Sequence, residues 1–497
     1  MGPRVPELRA RAERLKREIA RERYETKAGL KERPNLSDRY ASHELLLGEE
    51  AIPAIQRELA QATGEEQRRL RYLLAWVAEQ RVEAAVAPLE DELRAWQSTV
   101  TVRLGRRELP IRRVARTLEN EPNRGTRIAL ERARNERFEE ARSLQIDLLY
   151  REREAIADLG FGSYVEARGR LSGLNVGALE HQAVEILAAT REAHAAHLAR
   201  QLERHLGVTR EQAARSDAAW LRRMPWLNGR FGLSRTLERV REDLAAAGLP
   251  LEAGGKLRLD LEERPLRWSG SFCVPLSVPD EVVLGVSSTG GWPDTRALLH
   301  EVGHGLHFAH TERSLPWEFR ALGDTAVTEA YALLFELLSQ ERCWVQRAAR
   351  LGGEELEEYL LLTGLLRVVE LRRQAGKLLY ELEVWRSDRP SELADAYAEI
   401  MSEATGFRYD GRTYLEGTDR RFWVARQLRA WMLWATLWRV VRDRFDEDWF
   451  RNPAAGRFLF ELFSGGQRED ATLLARELGA ERLAVQPVVE AVRRWLP

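Results

Sequence analysis

Three observations predict a mainly α protein with one small β-sheet. Apolar residues recur at helical spacing through most of the 497-residue chain. Period-two and β-branched character is confined to about residues 257–290. A chain of this length can bury a large core, as one elongated unit or as two coupled domains. The expected division is an N-terminal helical lobe over 1–205 and a second region over 206–497. That second region holds the sheet (about 257–290), a helix over about 295–310 and further helices to the end.

The first lobe is legible in stretches such as Leu70–Glu79 and Val184–Thr190, where apolar and charged residues alternate with the period of a helix. Breaks at Pro34, at Glu121-Pro-Asn-Arg-Gly, at Gly160-Phe-Gly-Ser and at Ser172-Gly-Leu-Asn carry turn chemistry and read as loops between helices. The strands are expected in Leu257–Leu261, Gly270–Val278 and Glu281–Ser288. Gly290-Gly-Trp-Pro-Asp then forms a turn, with Pro293 suited to a first helical turn and Asp294 complementing the helix dipole. Helix resumes after it, apart from a loop around residues 407–418. Trp423, Trp431, Trp434 and Trp438 recur at helical spacing and are expected in the core.

Composition excludes several classes. The 77 basic and 78 acidic residues leave no net field to attract nucleic acid or an anionic membrane. The N-terminus runs into Arg/Glu-rich sequence without an apolar signal region, and the most apolar later stretches, such as Trp431–Val441 with Arg439 inside it, fall far short of the roughly 20 residues that span a bilayer. Cys273 and Cys343 are too few for a disulfide framework and are read as reduced thiols, so the expected location is cytoplasmic.

The residues that carry chemistry are His300-Glu-Val-Gly-His304, an HExxH pattern. Positions four apart on a helix lie one above the other, so both imidazoles can converge on one ion at about 2.0–2.1 Å. Glu301, displaced around the helix, can serve as general base toward a water that zinc acidifies to a pKa near 7. Four of the nine histidines (His300, His304, His307 and His310) fall within eleven residues, and Leu298, Val302 and Leu306 supply an apolar face away from them. His181, His194, His197 and His205 contain no such pattern and are read as structural.

Two residues compete as third ligand. Glu329 lies on a strongly apolar helical segment, where a carboxylate needs compensation that a metal would supply. His310 lies ten residues beyond His300, where HExxHxxGxxH peptidases place a third histidine, but His307 occupies the position of that pattern's glycine and would resist the turn. Glu329 is preferred. His307 sits about 10 Å along the axis from His300 and is read as a cleft residue or a neighbour of the ligands.

Leu298-Leu-His-Glu-Val-Gly-His-Gly-Leu-His307, Glu329 and Glu336 seven positions later resemble the thimet oligopeptidase and oligoendopeptidase F family of zinc metallopeptidases. Arg267-Trp-Ser-Gly-Ser-Phe-Cys273 and Asp294-Thr-Arg-Ala-Leu-Leu are similar to its pattern, and the match covers roughly residues 264–340. The resemblance implies a gluzincin-like, mostly helical molecule of two lobes around a deep channel, with one zinc per chain held by His300, His304 and Glu329 and with Glu301 as base. It implies short peptides as substrates, and a strand around Ser271 to Val274 that pairs with the substrate backbone, which makes Ser271 and Phe272 substrate-binding candidates. Asp324 and Glu336 become candidates for supporting the ligands.

One departure stands out. That family carries a late histidine and tyrosines that donate to the tetrahedral oxyanion, whereas this chain has no histidine after His310 and no tyrosine after Tyr414. Tyr409, Tyr414 and Arg426, with Arg420, Arg421 and Arg429 behind them, are the candidate replacements. The expected function is a zinc endopeptidase or oligopeptidase, with a peptide-binding zinc protein of weak turnover as the alternative.

Overall fold

The computed structural model describes residues 3–268 and 270–497, so Ser269 of the Arg267–Cys273 segment lies outside the described residues. The fold is mainly α with a small sheet. No described helix is long and apolar enough to cross a membrane.

Contacts divide the chain into two compact units otherwise than at residue 205. One comprises Met1–Ala84, Asn228–Gly352 and Arg429–Leu483; the other comprises Ala85–Leu227, Gly353–Leu428 and Ala484–Pro497. Two of these boundaries fall inside continuous helices, Gly64–Thr99 and Trp423–Phe445, where no linker composition marks them.

In the first unit, the helix Val5–Lys27 buries Leu8, Ala12, Leu15 and Ile19 along one stripe. Its end packs Tyr24 and Ala28 onto Phe272, Val274, Leu276 and Val283 of the sheet. The sheet has three strands. Glu281–Gly285 is central, parallel to Leu257–Asp260 and antiparallel to Phe272–Ser277. Phe272–Ser277 is thus an edge strand among the described residues.

The helix Trp292–His310 follows directly. Gly291 precedes it at φ 75°, a conformation glycine adopts freely, and Pro293 lies in its first turn. The Asp294 carboxylate does more than complement the dipole: it accepts hydrogen bonds from Ser288 Oγ, Thr289 N, Thr289 Oγ1 and Gly290 N, folding the incoming loop onto the helix start. Leu298, Val302 and Leu306 are fully buried.

The helix Thr325–Glu336, buried along nearly its whole length, packs beside it. Gly303 permits that approach, because a Cβ there would lie 2.5 Å from the Tyr331 carbonyl oxygen and 2.6 Å from Ala332 Cα. Asp324 caps the second helix through Ala326 N and is tied by Arg429 Nη2 at 2.8 Å. Burial would raise the Asp324 pKa, but the Arg429 charge and backbone donors outweigh it and hold the carboxyl below its ordinary range.

The second unit is built around the helix Gly353–Arg386, against which Ala394–Thr405 packs. It also contains a hairpin that helical periodicity concealed, Thr101–Leu104 paired with Arg107–Pro110 around Gly105. Val102 of the hairpin is buried with Ile111, Val114 and Phe138 of the adjoining helices. Trp431, Trp434 and Trp438 are core residues as expected, but Trp423, at the helix start, is 40% exposed.

Candidate metal centre

His300 and His304 project from successive turns of the helix Trp292–His310, and Glu329 reaches them from the helix Thr325–Glu336. Each of the three offers one ligand atom, and these atoms lie within 4.8 Å of one another; this is the cluster of its kind among the described residues. His304 Nε2 is 3.2 Å from His300 Nε2 and 3.4 Å from Glu329 Oε1, and His300 Nε2 is 3.8 Å from Glu329 Oε2. Donors about 2.0–2.1 Å from a tetrahedral ion stand roughly 3.3–3.4 Å apart, so the separations made by His304 Nε2 suit zinc, while His300 Nε2 faces the other oxygen of Glu329 at 3.8 Å. Two imidazole nitrogens and a carboxylate oxygen are also a donor set of the right softness for it.

The other ring nitrogens are occupied in ways that leave both Nε2 atoms turned inward. His300 Nδ1 meets Glu336 Oε2 at 2.6 Å, and Arg296 Nε donates to the other oxygen of Glu336 at 2.6 Å. His304 Nδ1 meets Thr328 Oγ1 at 2.8 Å. Such outer partners set the tautomer and orientation of a ligating histidine. Burial alone would lower the His300 pKa, but the Glu336 hydrogen bond and the charges of Glu336, Glu329 and Glu301 push it up to about 9. Three carboxylates around one imidazole favour a cation at this point.

Glu301 is 8% exposed, and its Oε1 accepts a hydrogen bond from Ser271 Oγ at 2.9 Å. Ser271 thereby touches the candidate base. The Phe272 side chain is 2% exposed, packed edge-on against Tyr24 at 6.3 Å, because alternation along the strand turns it toward the N-terminal helix.

Three residues near the site escaped the reading of the sequence. Thr328 is adjacent to Glu329, and Arg296 lies one turn before His300, so helical spacing from the ligands would have found both. Lys27 comes from the far N-terminal helix. Its Nζ lies 4.5 Å from the Trp268 ring centroid; burial lowers its pKa, and the charge of Glu301 opposes that shift. The only signal was its rarity, as one of five lysines among 77 basic residues.

His307 is corrected from cleft to core. It is fully buried, with Nε2 3.1 Å from the Gly466 carbonyl and its ring against Tyr331, and burial pushes it down to about 4. His310 stands outside the cluster, edge-on to Phe460 at 5.4 Å. Asp324 supports the Glu329 helix through its cap and, among the described residues, makes no hydrogen bond to His300, His304 or Glu329, whereas Glu336 bonds His300 directly.

The candidate oxyanion donors Tyr409, Tyr414 and Arg426 belong to the second unit. Tyr414 is 2% exposed, and its hydroxyl donates to the Ser391 carbonyl at 3.3 Å. Tyr409 lies under Arg215 at 5.3 Å. Arg426 donates to Ser172 Oγ at 3.0 Å, and Arg420 pairs with Glu90 and Glu152. Arg429, in the first unit, is committed to Asp324.

The fold is that of solved peptidase structures. A Chlamydophila abortus protein assigned as a peptidase superposes with a TM-score of 0.64 at 14% identity, covering 93% of this chain and 83% of its own. PZ peptidase A, solved with an inhibitor, superposes with a TM-score of 0.65 at 15% identity, covering 96% of this chain and 86% of its own. No family model and no curated protein matches the sequence. At these identities the likeness concerns the fold, a mainly α architecture with a small sheet.

Proposed function

We propose that this chain is a zinc-dependent peptidase acting on short peptides, with one zinc held by His300, His304 and Glu329 and with Glu301 as general base. The observation that carries the reading is the convergence of the three donor atoms, with Thr328 and Glu336 holding the opposite ring nitrogens. Zinc bound there supplies Lewis acidity, polarising a carbonyl and acidifying water. Glu301, oriented by Ser271 Oγ, takes a proton from the attacking water and returns it to the leaving amine. The edge strand Phe272–Ser277 offers unpaired backbone groups to an extended peptide. The fold shared with two peptidase structures supports the same class of reaction. A reducing compartment such as the cytoplasm suits the two unpaired thiols.

The test is cleavage of a quenched fluorescent peptide library by the wild type and by Glu301→Gln, alongside metal analysis. We expect about one equivalent of zinc in both proteins and activity in the wild type alone. Equal activity in both removes Glu301 as base, and full activity without metal removes the zinc reading.

A second reading, a peptide-binding zinc protein of weak turnover, is favoured by the lack of any histidine after His310 and any tyrosine after Tyr414. Loss of one oxyanion donor typically costs about 10²–10³ in rate. Peptide binding without cleavage by zinc-loaded wild type would select it.

A further inference from the structure

The second unit contains a cavity of about 260 Å³ whose lining includes none of the candidate metal ligands. Arg373 and Lys377, four residues apart on the helix Gly353–Arg386, stand side by side in its wall. Tyr397, Tyr409, Leu366 and Met401 supply much of the rest. The cavity's volume lies just below the roughly 300–1,000 Å³ of ordinary ligand pockets, which suits a compact organic molecule.

The charges on the wall do not cancel. Two acidic residues line it, and each already has arginine partners: Glu370 pairs with Arg367 at 3.1 Å, and Glu416 with Arg134 and with Arg215 of the same wall, the latter at 3.7 Å. Arg222 pairs with Glu119 at 3.9 Å. Arg373 makes no ion pair or hydrogen bond among the described residues. Lys377 lies 3.3 Å from Glu381, but burial pushes that carboxyl up to about 8, so near neutrality it is mostly protonated and leaves the ammonium charge unbalanced. A partly enclosed cation pair beside aromatic walls calls for an anion with an apolar body.

The form of the anion follows from the backbone. Phosphate sites typically use free N–H groups at helix N-termini or turns. Arg373 and Lys377 sit in the middle of a 34-residue helix, where every backbone N–H is already used. We propose that this cavity binds a small organic carboxylate with an apolar or aromatic body, its carboxylate held between Arg373 and Lys377. The assignment is independent of the peptidase reading.

Calorimetric titration of the full chain at constant ionic strength tests it with three probes: N-acetylphenylalanine, N-acetylphenylalaninamide and inorganic phosphate. The acid is expected to bind at least tenfold more tightly than the amide and than phosphate. Arg373→Gln and Lys377→Met are each expected to weaken the acid by about tenfold or more, in line with loss of a charge-assisted hydrogen bond. Arg373→Lys, which keeps the charge, should retain most of the affinity. Equal binding of acid and amide overturns the proposal, as do phosphate binding as tightly as the acid and undiminished binding by both charge-removing variants. The comparison of acid with amide uses only the wild type, so it decides even if a variant fails to fold.

Discussion

Thr328 Oγ1 and His304 Nδ1 lie 2.8 Å apart, so the residue that orients one histidine immediately precedes the carboxylate that meets its other nitrogen. A single turn of the helix Thr325–Glu336 therefore delivers both a candidate ligand atom and the bond that aims its neighbour. Thr328→Val removes the hydroxyl while keeping shape and burial. Zinc affinity, measured by competition with a chromophoric chelator, should fall about 10–100-fold, the usual cost of losing such a partner, with the melting temperature of the metal-free protein little changed. Unchanged affinity would mean that packing alone aims His304.

The third ligand is separable by mutation. Glu329→Ala should be purified without zinc and His310→Ala with a full equivalent, because the His310 ring rests on Phe460 outside the cluster. The reverse pattern would transfer the site to His310.

Close approach of the two helices depends on Gly303. Gly303→Ala places a methyl group into the Tyr331 carbonyl and the Ala332 backbone. Backbone cannot swing aside as a side chain can. The expected cost is about 1–3 kcal/mol of stability in urea unfolding, accompanied by weaker zinc binding as Glu329 is pushed away. Wild-type values for both would show that the helices can separate without consequence.

Glu381 sets a pH dependence of stability. Burial raises its pKa from 4.5 to about 8, so the folded chain keeps a proton that the unfolded chain has released between those values. The stability this group contributes is complete below about pH 4.5 and is lost as pH rises through about 8. Glu381→Gln, which stays neutral and can still accept from Asp419 N, should match the wild type at pH 4 and melt higher than it at pH 9. A variant that melts lower at pH 9 would show that the ionised carboxylate is compensated by Lys377.

By itself the sequence determined what local spacing can determine. The four-residue interval put His300 and His304 on one helix face, the apolar period marked Leu298, Val302 and Leu306 as core, and β-branched alternation located the sheet. The hairpin at Thr101–Pro110 is hidden because its ten residues lie between the helices Gly64–Thr99 and Ile111–Asn120 and are absorbed into their period. The unit boundaries were illegible because two of them interrupt no helix and carry no linker.

Tertiary structure decided everything that joins distant segments. Helical period could not distinguish a buried His307 from a cleft residue, since both occupy the face that His304 shares; the Gly466 carbonyl and the Tyr331 ring made the difference. Ser271 on Glu301, Lys27 beside them and Glu336 on His300 all depend on contacts between residues at least 30 positions apart. Such contacts arise from the packing of whole helices and strands, which no local period encodes.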